Sequence, residues 1–177
     1  MGTLDMNELA RVVSNVTRTM CGVSFVVGEG GDRGESICSR MLVLPLIGLR
    51  RINIVMSCDT ATARNLAASM LRRPLQEVAR AEVDSALREL LSMVGGQVVN
   101  VMQVDQTLGA IRAITLADLV AEGAGGFGGS ALLRGSGSAD LRLWVYEVVS
   151  DADADESGPQ MSFGARGAGL VRRLLRR

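Results

Sequence analysis

The chain has 177 residues, of which 47% are hydrophobic and only 3% aromatic, so we expect one domain with an aliphatic core. Nineteen basic residues, all of them arginine, balance nineteen acidic residues, and this balance gives no reason to expect nucleic-acid binding. The sequence contains no histidine and no lysine, which excludes histidine general bases, histidine metal sites, Schiff bases and Walker A loops.

The three cysteines, Cys21, Cys38 and Cys58, are widely spaced along the chain. This spacing indicates free thiols in a reducing compartment and not a disulfide framework or a metal site. No apolar run reaches the roughly 18 residues of a transmembrane segment, and the N-terminus lacks the pattern of a signal peptide. We therefore expect a cytoplasmic protein.

The first part of the chain predicts a helix followed by strands. Asp5 is the expected N-cap of this helix, with Glu8 as its candidate capping-box partner, and Gly22 is expected to end it. Apolar and β-branched runs then predict three strands, at residues 23–27, 37–46 and 52–56. In the last of these, alternate residues are apolar, which predicts a sheet with one face more buried than the other.

Two helices are expected next. The first is capped by Asp59 or Thr60 and stopped by Pro74. Residues 75–103 then predict one long amphipathic helix. Its apolar side spans an arc of about 80° and consists of Val83, Leu87, Leu90, Val94, Val98 and Val101.

Ser85, Glu89, Ser92 and Gly96 lie on the opposite side of the long helix, within about 60° of one another. An exposed helical surface usually mixes charges of both signs, whereas this one has two hydroxyls, one carboxylate and a bare backbone position. Gly96 and its neighbour Gly95 each cost a helix interior about 1 kcal/mol relative to alanine. We expect close approach of a strand, a helix or a partner to explain that cost.

Further apolar stretches, separated by turns, follow the long helix at 108–116, 119–120 and 131–134. A clear alternating strand is predicted at 141–149, after the GSGS turn. From Ser150 the composition changes to DADADESG and then to a tail that ends GLVRRLLRR. We therefore divide the chain into a domain at 1–150 and an acidic linker with a short basic amphipathic tail at 151–177.

Within this order of elements, Ser85, Glu89 and Ser92 form the pattern S-x-x-x-E-x-x-S, followed by Met93-Val94-Gly95-Gly96. Over residues 7–149 the sequence resembles the CheC/CheX/FliY family of chemotaxis phosphatases. It is most similar to the CheX branch, because only the central helix carries the motif. The resemblance implies an α/β (α+β) CheX-like domain with long helices packed on an antiparallel or mixed β-sheet.

The resemblance also implies a partner and a reaction. The family's partner is a phosphorylated CheY-like receiver domain, and its reaction is hydrolysis of the receiver's aspartyl phosphate. The motif glutamate contacts a receiver lysine, an asparagine carboxamide orients the attacking water, and the receiver supplies the Mg²⁺. By resemblance, Glu89 and Ser92 are the catalytic residues, and Ser85, Glu89 and Gly96 bind the partner. No metal or other cofactor is expected on this chain, and a homodimer formed through sheet edges is expected.

Ser92 departs from the family pattern, which has asparagine at this position. A serine hydroxyl lies closer to the backbone than a carboxamide and has no second polar atom, and a misplacement of about 1 Å costs on the order of 100-fold in rate. Gln97 and Asn100 could replace the amide only if the helix broke at the glycines. Three functions stay open: a phosphatase of impaired activity, a non-catalytic receiver-binding adaptor, and a structural module.

Overall fold

The computed structural model describes residues 5–28, 39–48, 50–102, 106–123, 127–136 and 139–148. The helices in these ranges are α1 (Met6–Cys21), α2 (Thr60–Leu71), α3 (Arg80–Met102) and α4 (Leu116–Glu122). The strands are β1 (Phe25–Val27), β2 (Arg40–Ile47), β3 (Arg51–Cys58), β4 (Thr107–Leu108), β5 (Arg112–Ala113), β6 (Phe127–Gly135) and β7 (Asp140–Val148).

The strands of the described ranges form one seven-stranded sheet in the order β1-β6-β7-β3-β2-β4, with β5 also paired to β2. Every pairing in this sheet is antiparallel. At its centre, Val55 of β3 lies between Val43 of β2 and Trp144 of β7. The structure thus confirms the α+β fold and selects the antiparallel sheet from the two expected arrangements.

Helices α1, α2 and α3 cover one face of the sheet, and their apolar sides form the main core with residues such as Leu44 and Leu143. A smaller core on the other face lies beneath Ile114 and Leu119. The expectation of one more buried face at β3 was therefore wrong, because Leu119 of α4 and Ile114, two residues before that helix, cover the second face. As a result β3 is buried on both sides from Asn53 to Cys58.

The first helix begins and ends at the expected residues. The Asp5 side chain accepts a hydrogen bond from the backbone N–H of Asn7 at 2.9 Å, and Gly22 takes a left-handed conformation with φ of 69°. A glycine adopts this conformation without the steric cost that other residues meet. Within the described contacts, Glu8 does not complete the expected capping box.

The predicted helix at 75–103 is interrupted near its start, which corrects its boundary. Leu75–Glu77 form a 3₁₀ helix, and α3 begins only at Arg80. The Glu82 carboxylate accepts hydrogen bonds from the backbone N–H of Ala79 at 2.8 Å and from Arg73 Nη1 at 2.6 Å. This carboxylate satisfies a free N–H group at the new helix start. Gln103, the expected last residue, lies outside the described residues.

Helix α4 was not predicted, although the chain carries a signal for it. Thr115 and Asp118 form a complete capping box, in which each side chain bonds to the backbone N–H of the other residue. The spacing Thr-x-x-Asp therefore marks a helix start inside a stretch that we had interpreted as apolar segments between turns.

Cys21 has a free thiol, as expected, and both Cys21 and Cys58 are buried, whereas Cys38 lies outside the described residues. The predicted linker and tail at 151–177 also lie outside them. Among the described helices, none is both long enough and apolar enough to cross a membrane.

Candidate functional site

The four candidate residues on α3 lie together on one accessible side of the helix, which we call the α3 polar surface (Ser85, Glu89, Ser92 and Gly96). Ser85 and Glu89 are exposed, and Ser92 and Gly96 are half-buried. The helical spacing thus places these residues side by side along the outside of the domain.

The opposite side of α3 fixes this orientation. Val83, Leu90 and Val94 are each at most 1% exposed in the main core, and burying a side chain of this size stabilises the fold by about 1.5–3 kcal/mol. Turning the helix would expose this row, so the polar surface must face outward. Val101 is the exception to the predicted apolar side, because it is 46% exposed near the end of the helix.

The charged groups beside the α3 polar surface have partners elsewhere. Asp84 pairs with Arg40, and Arg88 donates a hydrogen bond to the backbone carbonyl of Ile111. Within the described part of the chain, the side chains of Ser85, Glu89 and Ser92 make no hydrogen bond or ion pair. The Glu89 carboxylate is therefore available to a cation on another molecule.

Gly95 and Gly96 have different surroundings although they are neighbours. A methyl group at Gly95 would overlap Leu44 Cδ2 and lie 3.1 Å from Leu108 Cδ2. The close approach of α3 to the sheet thus explains why position 95 has a residue without a side chain. At Gly96 an added methyl would meet no described atom within 4 Å, so packing inside the domain gives no reason for the second glycine.

Helix α3 is continuous from Arg80 to Met102. Because it does not break at Gly95 and Gly96, Gln97 points well away from the α3 polar surface, and Asn100 lies about 16 Å along the axis from Glu89. Neither amide can stand in for the one that the family pattern has at the position of Ser92.

A second polar cluster, on the other face of the sheet, is internally paired. Tyr146 donates its hydroxyl proton to Glu122 Oε2 at 2.8 Å, and Arg112 also pairs with Glu122. Burial tends to raise the pKa of Glu122, but the hydrogen bonds from Arg112 and Tyr146 outweigh it and leave that pKa lowered. Burial, the largest cause, raises the pKa of Tyr146 to about 12. These groups hold α4 on the sheet.

The described residues contain no group of three or more histidine, cysteine, aspartate or glutamate side chains placed to hold a metal ion. The structure therefore assigns no metal ligands within these ranges.

The fold is similar to solved structures of chemotaxis proteins. CheX from Vibrio vulnificus aligns with a TM-score of 0.62 at 15% identity, over 80% of this chain and 95% of that one. A CheX-CheY-BeF3-Mg complex from Borrelia burgdorferi gives 0.60 at 15% identity, over 82% and 99%. A CheC-like superfamily protein from Shewanella sp. PV-4 gives 0.59 at 12% identity, over 84% and 100%.

No protein-family model matches the sequence, and no curated protein matches it either. The similarity is therefore one of structure, and it covers nearly the full length of the compared chains. The chain has the fold of the CheX and CheC-like chemotaxis proteins.

Proposed function

We propose that this chain binds a phosphorylated CheY-like receiver domain through the α3 polar surface and slowly hydrolyses the receiver's aspartyl phosphate. The observation that carries the proposal is Glu89, an exposed carboxylate without a partner among the described residues, one helical turn from Ser85 and Ser92 on an unbroken helix. The Borrelia burgdorferi CheX of the same fold was solved in a complex with CheY, which supports a receiver as the partner.

Phosphoryl transfer depends mainly on positioning and charge stabilisation, so a few polar atoms on a rigid helix can contribute to it. In the proposed complex, Glu89 pairs with a receiver cation and fixes the docking geometry. The Ser92 hydroxyl forms one hydrogen bond, as donor or as acceptor, with the water that attacks the phosphoryl group. The receiver supplies the Mg²⁺, so this chain needs neither histidine nor lysine.

Gly96 supports docking on this side of the helix. A glycine here costs the helix about 1 kcal/mol relative to alanine, and no contact inside the described domain accounts for it. A bare backbone position next to Ser92 lets a partner approach the helix more closely than a side chain would allow.

A second candidate function is a receiver-binding adaptor without catalytic activity. Ser92 favours it, because this side chain is half-buried and shorter than a carboxamide, so its hydroxyl reaches less far into a docked receiver. Glu89 would then still determine binding, whereas no group of this chain would orient the water.

Phosphate release separates the two functions. A phosphorylated CheY-like receiver with Mg²⁺ is mixed with the wild-type chain, with Ser92→Asn, with Glu89→Ala, and with Glu77→Ala as an exposed control outside the surface. We expect slow release above the receiver's own rate, an increase on the order of 100-fold for Ser92→Asn, and loss of acceleration for Glu89→Ala but not for the control.

Receiver binding is measured on the same proteins. Binding that depends on Glu89, without any acceleration by the wild-type chain, would replace the phosphatase with the adaptor. Absence of binding by both the wild type and Ser92→Asn would contradict both functions and leave a structural module.

A further inference from the structure

A groove of about 810 Å³ lies between α2, the first half of α3 and strands β2 and β5. Its charged lining consists of four arginines and one aspartate: Arg40, Arg64, Arg80, Arg88 and Asp84. Buried apolar side chains, among them Val83, Leu87 and Ile114, form its floor. The groove therefore combines an apolar surface with a strongly basic rim.

Among the described residues, most of the positive charges of this rim have no carboxylate partner. Arg40 pairs with Asp84, which leaves an excess of three positive charges among the lining residues, four minus one. In the part of the chain that the structure describes, Arg64 and Arg88 donate only to backbone carbonyls, those of Leu75 at 3.0 Å and of Ile111.

Arg80 has no hydrogen-bond or ion-pair partner within the described ranges. Three guanidinium groups thus face or border the groove without a carboxylate partner there, and each retains N–H donors that can bind an anion.

We propose that this groove binds a small organic polyanion of the nucleotide class. Its volume lies within the roughly 300–1,000 Å³ of small-molecule sites. Guanidinium groups bind phosphate in a bidentate manner and stack on aromatic rings, while the apolar floor provides a surface for the uncharged part of the ligand. Inorganic phosphate would use the rim alone.

The groove is distinct from the α3 polar surface. Its α3 residues Arg80, Asp84 and Arg88 are centred about 110° around the helix axis from the polar surface. No residue belongs to both the groove and the α3 polar surface, so each proposal can be tested with variants that leave the other set of residues unchanged.

Isothermal titration of the full chain with ATP, at low ionic strength, tests the site. The matched variants are Arg64→Gln/Arg80→Gln, which removes two exposed rim charges, and Arg11→Gln, which removes an exposed charge of α1 outside the groove. We expect one ATP per chain, binding that weakens by at least about tenfold in the double variant, and unchanged binding in Arg11→Gln.

Two further ligands and one spectroscopic measurement complete the test. Tripolyphosphate should bind more weakly than ATP, and a poly-glutamate peptide should not compete with ATP. Methyl resonances of Val83 and Leu87 should shift on ATP addition. No ATP binding, equal weakening in Arg11→Gln, tripolyphosphate binding as tight as that of ATP, or displacement of ATP by the peptide would each overturn the proposal.

Discussion

At the scale of single residues, the neighbours Gly95 and Gly96 have different environments: Gly95 packs against the core, and Gly96 lies on the α3 polar surface. Gly95 is buried against Leu44, which is itself 1% exposed and cannot move freely. Gly96 has open space where a side chain would be. The same substitution at these two adjacent positions therefore changes the free energy of unfolding through different causes.

Gly95→Ala should lower the free energy of unfolding, because overpacking a core costs about 1–3 kcal/mol and outweighs the gain in helix propensity of about 1 kcal/mol. Gly96→Ala should instead raise it by up to about 1 kcal/mol and weaken receiver binding. Urea denaturation and receiver titration measure the two effects. Equal stability of the two variants would contradict this account of Gly95, and unchanged receiver binding in Gly96→Ala would contradict the role of Gly96.

The placement of the candidate residues was largely predictable at this scale. Ser85, Glu89, Ser92 and Gly96 lie on one exposed side because helical periodicity depends only on sequence spacing. Which of the two glycines contacts the sheet was not predictable, because the answer depends on Leu44 and Leu108, which lie in β2 and β4. The roles of Glu89 and Ser92 stay predictions that the phosphate-release experiment tests.

At the scale of elements, the seven-residue helix α4 depends on its attachment to the sheet. A helix this short is marginal on its own, and its attachment includes the hydrogen bond from Tyr146 to Glu122 and the ion pair from Arg112. Because the pKa of Glu122 is lowered in the folded chain, its interactions stabilise the fold above the ordinary glutamate pKa. That stabilisation is lost as the pH falls through the lower folded value.

Tyr146→Phe should therefore lower the free energy of unfolding by about 1.5–3 kcal/mol at pH 7, the range for a hydrogen bond to a charged group. As the pH falls below the ordinary glutamate pKa and through the lower folded pKa of Glu122, the difference from the wild type should shrink, because Glu122 becomes protonated. Urea denaturation at pH 7 and at pH 3.5 measures both values. Glu147→Gln is the control, since the Glu147 carboxylate is exposed and lies 3.4 Å from exposed Arg50. If the loss of unfolding free energy in Tyr146→Phe did not change with pH, the charged Glu122 would be excluded as its cause.

The boundaries of the elements were predictable where a single capping residue determines them. Asp5 and Gly22 end α1 through their own hydrogen bonds and conformation. The start of α3 was misplaced because Glu82 and Arg73 together stabilise a new helix start at Arg80. Such a pairing depends on the path of the chain between α2 and α3 and not on periodicity.

At the scale of the whole molecule, the sheet formed by the described residues ends on one side at β1, a strand with two exposed valines. Val26 is 66% and Val27 46% exposed, and within the described ranges β1 pairs only with β6. A free edge with exposed apolar side chains is a template for pairing with another strand.

We therefore expect a homodimer formed through β1. Sedimentation equilibrium should give twice the chain mass for the wild type, and Val26→Lys should give the monomer mass, because an edge lysine opposes strand pairing. Val101→Lys is the matched control, since Val101 is 46% exposed and lies on α3 and not on β1. A monomeric wild type, or a dimer that persists in Val26→Lys, would contradict this interface.

The sequence by itself determined helices α1 to α3, strands β1 to β3 and β7, the accessible side of α3 and the resemblance to CheX, but not helix α4. These properties follow from periodicity, capping residues and turns, which act between residues close in the chain. Tertiary structure alone decided that both faces of β3 are covered, that Gly95 contacts Leu44, and that arginines of β2, α2 and α3 line one groove. The reason is physical: burial and facing charges depend on which distant elements pack together, and local spacing does not contain that information.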